Sequence, residues 1–264
     1  IDKKKFLKID ISSKKLPKLL KQKKITTVIH AAAYSFPPES EDNKKIYYKN
    51  NILKTKIFID YCHKSNIKKF IFFSSSNVYS FNSNKIESVK ESQKLFPKNY
   101  YGQTKLIIEQ YLSKKFETCY ILRLFNIAGY INNSHFYEFK NKYRRILPVI
   151  NEAFRKKLTF KINLIKSKGN TVFPARDFVH IKDFLKIILI LLRKQTGNNL
   201  ILNVGNNKLV YLDKIINVFE KKLQKKINFK KIVSSKGNLN YTLCNNTKIK
   251  RKFDFKFKFD LSEI

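Results

Sequence analysis

Short apolar runs alternate with helical patterns along most of the chain, and this alternation restricts the fold more than any other feature. "KITTVIHAAA" (24–33) reads as a buried strand ending in small residues, "YYKNNILKTKIFIDYCHKSN" (47–66) as a helix, and "IKKFIFFSSS" (67–76) as the next strand. A loop, a helix in "NYYGQTKLIIEQYL" (99–112) and the strand "TCYILRLFN" (118–126) follow. Strand, helix, strand in this rhythm predicts a parallel sheet covered on both faces, a doubly wound, Rossmann-like α/β fold. After Asn126 the pattern loosens, then returns with "ARDFVHIKDFLKIILILLRK", "NNLILNVGNN" and "YLDKIINVFEKKLQKK". We expect a first domain over 1–126 and a smaller α/β part over 127–264, with 176–206 returning to the first sheet.

With 264 residues, 43% of them hydrophobic, the chain can bury a core and is not a disordered polymer. No apolar run approaches the roughly 20 residues that cross a bilayer, and "IDKKKFLKIDI" is not a signal-peptide pattern. No membrane association is therefore expected. Three widely spaced cysteines, Cys62, Cys119 and Cys244, fit neither a disulfide framework nor a zinc site, so the expectation is a reducing cytoplasm and no metal. The 56 basic residues against 19 acidic ones give a formal charge of +37, which raises nucleic acid as a partner. Lysine is spread over nearly every segment, however, together with an excess of Asn, Ile, Phe and Tyr, whose codons are rich in A and T. We read the charge as composition drift through surface positions rather than a nucleic-acid footprint.

Tyr101 and Lys105 lie four apart in the helical pattern and so share a face. They could be a solvated pair. Alternatively the cation lowers the phenol's pKa from about 10 toward neutrality and makes it usable as an acid or base. In a doubly wound sheet ligands collect at the carboxyl ends of strands. Those ends carry Ala31, Ala32 and Ala33, then Ser74, Ser75 and Ser76, then Phe125 and Asn126.

Taken in order, "VIHAAA", "YYKNN" with Thr55, "FIFFSSSNVYS", "NYYGQTK", "LRLFNIAG", "ARDFVHIKD" and "LNVGNN" resemble the extended short-chain dehydrogenase/reductase family, and within it most the UDP-glucose 4-epimerase branch. The resemblance runs through almost the whole chain. It implies NAD as cofactor and 4-epimerisation of a UDP-hexose, interconverting UDP-glucose and UDP-galactose. It further implies Ser75, Tyr101 and Lys105 as catalytic residues, with Ser75 four residues before Tyr79 as in the family pattern. Asp10, Ile11, Ala31, Ala32, Ala33, Asn50, Ser75, Tyr101, Lys105 and Phe125 would line the cofactor. Ser75, Tyr101, Asn126 and Arg176 would meet the sugar nucleotide, in a second part that is mainly substrate-binding. His30 and His180 are read as structural, and a homodimer is expected because the epimerases commonly pair through the helix bearing Tyr101 and its neighbour. The nucleotide-sugar dehydratases usually carry Asp-Glu where this chain has Ser76 and Asn77, which disfavours dehydration.

The sequence also departs from that pattern. The family opens with a G-x-x-G-x-x-G turn whose amides approach the pyrophosphate, but the six glycines here stand at 102, 129, 169, 197, 205 and 237. "FLKIDI" resembles a later family strand, so about fifty residues of the family's start are expected to be missing, and "DLSEI" resembles a last helix that is cut. The absence of methionine, position 1 included, is expected of a fragment. On this reading the 264 residues alone bind NAD weakly, and an upstream extension restores binding and activity. The family's R-x-G-D reads "SKGN", with Ser235 and Asn238, and Leu124 replaces a common aromatic. Two alternatives stay open: another nucleotide-sugar dehydratase or reductase, and an inactive remnant.

Overall fold

A computed structural model describes residues 6–81, 85–129, 146–167, 170–194, 197–233 and 241–258, and the chain forms two compact units. The first unit comprises residues 1–80, 94–123 and 191–202, the second 81–93, 124–190 and 203–264. "DLSEI" and the Ser235–Asn238 stretch lie outside the described residues.

In the first unit α1 (Leu16–Gln22) leads to β1 (Thr27–His30), followed by α2 (Pro37–Asp42), α3 (Lys44–Tyr47), a π-helical stretch Tyr48–Lys54 and α4 (Thr55–Lys64). Next come β2 (Lys69–Ser75), a 3₁₀ turn Ser76–Val78, α5 (Tyr100–Lys115) and β3 (Cys119–Leu124). The central parallel sheet has the order β1-β2-β3-β8, with β8 at Leu200–Val204. β1 and β2 pair in parallel from Thr27↔Lys69 to His30↔Phe72. β2 and β3 are buried almost without interruption, as strands covered on both faces must be.

Phe58 and Ile59 of α4, Ile108 and Leu112 of α5, Phe70 and Phe72 of β2 and Ile121 of β3 form one core. Each such side chain contributes about 1.5–3 kcal/mol when fully buried, so packing rather than helix propensity fixes α4 and α5. The single helix expected over 47–66 is divided. Asn51, buried inside the π-helical stretch, donates to the Tyr34 carbonyl (2.9 Å) and Thr104 Oγ1 (3.3 Å) and accepts from the Tyr34 N–H (2.9 Å). The Thr55 hydroxyl donates five residues back to the Asn50 carbonyl at 3.2 Å. These side-chain bonds accompany the wider helical turn.

The second unit contains β4 (Asn126–Ala128), α6 (Ile146–Lys156), β5 (Phe160–Ser167), β6 (Asn170–Val172), β7 (Ala175–His180) and most of α7 (Ile181–Arg193). It continues with β9 (Leu209–Tyr211), α8 (Leu212–Leu223), β10 (Phe229–Val233), β11 (Tyr241–Thr242) and α9 (Thr247–Phe253). Its sheets are ordered β10-β5-β6 and β11-β7-β4, with β9 on β7. Ile150, Phe160, Ile162, Phe178, Ile215 and Ile216 share its core.

These boundaries correct the expected 1–126 and 127–264. The division falls after Arg123, and within 176–206 only 191–202 joins the first unit. β7 takes its ladder bonds from β4, β9 and β11, so residues 176–190 stay with the second unit while β8 completes the central sheet.

Candidate active site

The N-terminus of α5 is held by side chains. Asn99 Oδ1 accepts from the Gly102 N–H (2.8 Å), the Tyr101 N–H donates to Ser40 Oγ (3.0 Å), and the Tyr100 N–H donates to Glu41 Oε1 (2.6 Å). Three of the amides that a helix start leaves orphaned are thus satisfied. A Cβ at Gly102 would stand 2.2 Å from the Asn77 carbonyl oxygen, so only glycine lets the helix approach the turn that follows Ser75 this closely. Asn99 Nδ2 ties the same two segments by donating to Asn77 Oδ1 at 2.9 Å.

Ser75 ends β2, where its hydroxyl oxygen accepts from the Asn77 N–H (3.2 Å) and Nδ2 (3.1 Å). It therefore caps the turn, and its own O–H proton is not spent in either bond. Tyr101, in the first turn of α5, and Lys105, one turn on, are both buried. Lys105 Nζ donates to the Phe73 carbonyl at 2.7 Å and lies 5.8 Å from the centre of the Tyr101 ring and 4.8 Å from that of Phe72. Lys105 thus bridges the helix of Tyr101 and the strand that ends in Ser75.

Burial pushes the Lys105 ammonium down to about 7, with the Glu109 carboxylate pulling the other way. Its charge near neutral pH is therefore set by its neighbours. Burial, and then the Lys105 charge, push His30 down to about 4. His30 packs among Phe58, Phe70 and Phe72 as a structural residue. His180 is buried as well, with Nδ1 accepting from the Lys182 N–H at 3.1 Å. Gly129 comes against that ring at φ +87°, where a Cβ would be 2.2 Å from Nε2.

On the expected cofactor side, Ala31, Ala32 and Ala33 follow β1 as exposed residues, so the strand end is open to a ligand. An open strand end is where a doubly wound sheet collects its ligands. Asp10 accepts from the Ser12 N–H (2.9 Å) and hydroxyl (2.6 Å) and from Lys54 Nζ (2.6 Å), which hold its carboxyl well below the usual range. Ile11 is half-buried beside it. Asn50 turns its amide onto the Ile46 carbonyl of its own helix (2.9 Å), whereas the neighbouring Asn51 is the buried one. Among the described residues no group of three or more His, Cys, Asp or Glu could hold a metal ion.

In the second unit Phe125 is buried edge-on to Phe81, and Asn126 Nδ2 donates to the Asp177 carbonyl at 3.0 Å. The register pairs Asn126 with Phe178, and Arg176 lies two residues before Phe178, so Asn126 and Arg176 project from one face of that sheet. Arg176 donates to the Ala175 carbonyl (2.8 Å) and has no carboxylate partner among the described residues; burial pushes it down to about 10. Asp177 does not pair with it. Its carboxylate instead accepts from the N–H groups of Asn206 (2.7 Å), Asn207 (2.9 Å) and Cys244 (2.9 Å).

Two residues of consequence escaped the sequence reading, Glu109 and Arg123, which form one buried network with Ser74 and Tyr79. Glu109 repeats the Tyr101–Lys105 spacing once more, and Arg123 interrupts the apolar run "YILRLF". Those were the available signals.

A family model described as the NAD dependent epimerase/dehydratase family matches residues 1–205. UDP-glucose 4-epimerase 4 of Oryza sativa subsp. japonica is 28% identical over 270 residues, covering 97% of this chain and 72% of that protein. The crystal structure of UDP-glucose 4-epimerase from Brucella ovis in complex with NAD superposes with a TM-score of 0.89 at 23% identity, over 98% of this chain and 82% of that one. UDP-N-acetylglucosamine 4-epimerase from Methanobrevibacter ruminantium, in complex with UDP-N-acetylmuramic acid, gives 0.78 at 26% identity, over 97% and 80%.

Proposed function

The chain belongs to the NAD dependent epimerase/dehydratase family, and from that premise we propose that it is an NAD-dependent isomerase acting at C4 of a UDP-hexose, interconverting UDP-glucose and UDP-galactose. The observation that carries this reading is the buried Tyr101–Lys105 pair on α5, tied through Phe73 to the strand that ends in Ser75. Tyr101, as phenolate, takes the proton of the sugar 4-hydroxyl and later returns it. The Lys105 ammonium holds that phenolate at neutral pH, and the Ser75 O–H donates to the reacting oxygen. NAD, when bound, supplies the acceptor and donor of the C4 hydride. Arg176, charged and without a carboxylate partner among the described residues, suits the diphosphate, with Asn126 beside the sugar. The resemblance implies Asp-Glu at this place in the nucleotide-sugar dehydratases, and this chain has Ser76 and Asn77 there, which favours epimerisation over dehydration.

The outer faces of α4 and its π-helical lead expose Leu53 and Ile57, and α5 exposes Ile107, an apolar surface that supports a homodimer. The three cysteines are free and buried, and burial pushes Cys62 up to about 12 and Cys119 to about 11, which keeps them as inert thiols. No described helix is long and apolar enough to cross a membrane. We place the enzyme in the cytoplasm on its free thiols, which a reducing compartment keeps unpaired.

The test is formation of UDP-galactose from UDP-glucose in the presence of NAD, by wild type and by Tyr101→Phe. The substitution keeps the ring and removes the proton-transfer group, so kcat should fall by about 10²–10⁴-fold. Wild-type turnover in Tyr101→Phe would remove Tyr101 from the chemistry.

A further inference from the structure

Tyr101, Lys105 and Glu109 recur every fourth residue along α5, and all three are buried. That spacing sets them in one row on the helix. The row lies against the end of β2: Lys105 Nζ donates to the Phe73 carbonyl (2.7 Å), and the hydroxyl of the next residue, Ser74, donates to Glu109 Oε1. Arg123 of β3 holds the carboxylate from the other side. Its Nε lies 3.2 Å from both oxygens and its Nη2 2.8 Å from Oε2, a two-pronged grip. Its Nη1 donates to the Tyr79 hydroxyl at 2.8 Å, and the guanidinium sits 5.0 Å over the Tyr79 ring.

A buried ion pair is a weak means of stabilising a fold, since well-packed apolar residues often do as well. Its place in the Tyr101 row points to a second role. We propose that Glu109 is a positioning residue: clamped by Arg123 and the Ser74 hydroxyl, it fixes the end of β2 against α5 and supplies the anion that keeps the Lys105 ammonium charged beside the Tyr101 ring. Among the described residues, the titratable groups around Lys105 are Tyr101 and Glu109 on its own helix, His30 of β1 and, behind Glu109, Arg123 of β3 with Tyr79 after β2. Among these Glu109 is the carboxylate. Loss of its charge would also leave the Arg123 cation unbalanced in the same cluster, so both changes favour proton release from Lys105.

The inference rests on the proposed roles of Tyr101 and Lys105, but its test needs no turnover. Lysine labelled with ¹³C at Cε is followed by NMR through a pH titration of the chain, and the Lys105 signal is identified by its loss in Lys105→Met. Unperturbed lysines titrate near about 10.4 and stand apart. In Glu109→Gln the Lys105 midpoint should fall by about one pH unit, a tenfold loss of proton affinity. In Glu109→Gln/Arg123→Met, which buries no lone cation, it should fall less. In Ser74→Ala, which keeps the ion pair, it should stay close to wild type. An unmoved or raised midpoint in folded Glu109→Gln overturns the proposal. If that variant does not fold, an unmoved midpoint in the double variant does the same. The expected shifts in a protein that fails to epimerise would leave this inference standing and remove the function, whereas unmoved midpoints in an active epimerase would do the reverse.

Discussion

His30 makes a direct link between one buried side chain and the pH dependence of the fold. Its ring stacks nearly parallel to Phe72 at 5.9 Å, and its Nε2 lies 3.4 Å from Thr55 Oγ1. The unfolded chain takes up a proton near 6.5 and the folded one only near 4, so the unfolded state binds more protons between those values. Stability from this residue is complete above pH 6.5 and is lost as the pH falls toward 4. His30→Phe should therefore flatten the loss of stability between pH 6.5 and 4, read from urea midpoints at several pH values; an unchanged acid slope would contradict the assignment. At this scale the sequence was readable where spacing sets placement, as for Tyr101 and Lys105 one turn apart on α5, and where position does, as for Ser75 at the end of β2. It was not readable for Glu109 and Arg123. Among 56 basic and 19 acidic residues nothing local marks which charges are buried, because their burial depends on a strand and a helix meeting in space.

Among the elements, α7 illustrates how a charge in one segment completes another. Lys69, at the start of β2, is buried and directs Nζ to the carbonyls of Leu191 (3.1 Å), Leu192 (2.9 Å) and Lys194 (2.5 Å) at the C-terminal end of α7. An ammonium there satisfies carbonyls that the helix leaves unpaired and complements its dipole. Lys69→Met preserves the stem and removes the donors, and should cost about 1–3 kcal/mol in a urea titration. A stability unchanged from wild type would contradict this, since water would then satisfy those carbonyls equally well. The order of strands and helices in the first unit was legible because period and length distinguish them. The π-helical stretch was not, since it accompanies one buried asparagine amide bonded to Tyr34 and Thr104, distant in sequence. The departure of β7 from the central sheet was equally hidden: its apolar pattern fits any buried strand, and only the partners β4, β9 and β11 decide where it belongs.

For the whole molecule, the proposed function couples acid–base chemistry by the row on α5 to the NAD-dependent chemistry of the family to which the chain belongs. The formal +37 charge does not discriminate among the reactions this family could perform, but the fate of the hydrogen at C4 does. An epimerase removes that hydrogen as hydride and returns it to the same carbon, whereas a dehydratase moves it elsewhere in the sugar and expels water. The measurement is incubation of the protein with NAD and UDP-galactose carrying deuterium at C4, followed by mass spectrometry and NMR of the sugar. The account predicts UDP-glucose with the deuterium still on C4, and loss of this conversion in Tyr101→Phe. Formation of a 4-keto-6-deoxy sugar, or recovery of UDP-galactose alone, would contradict it.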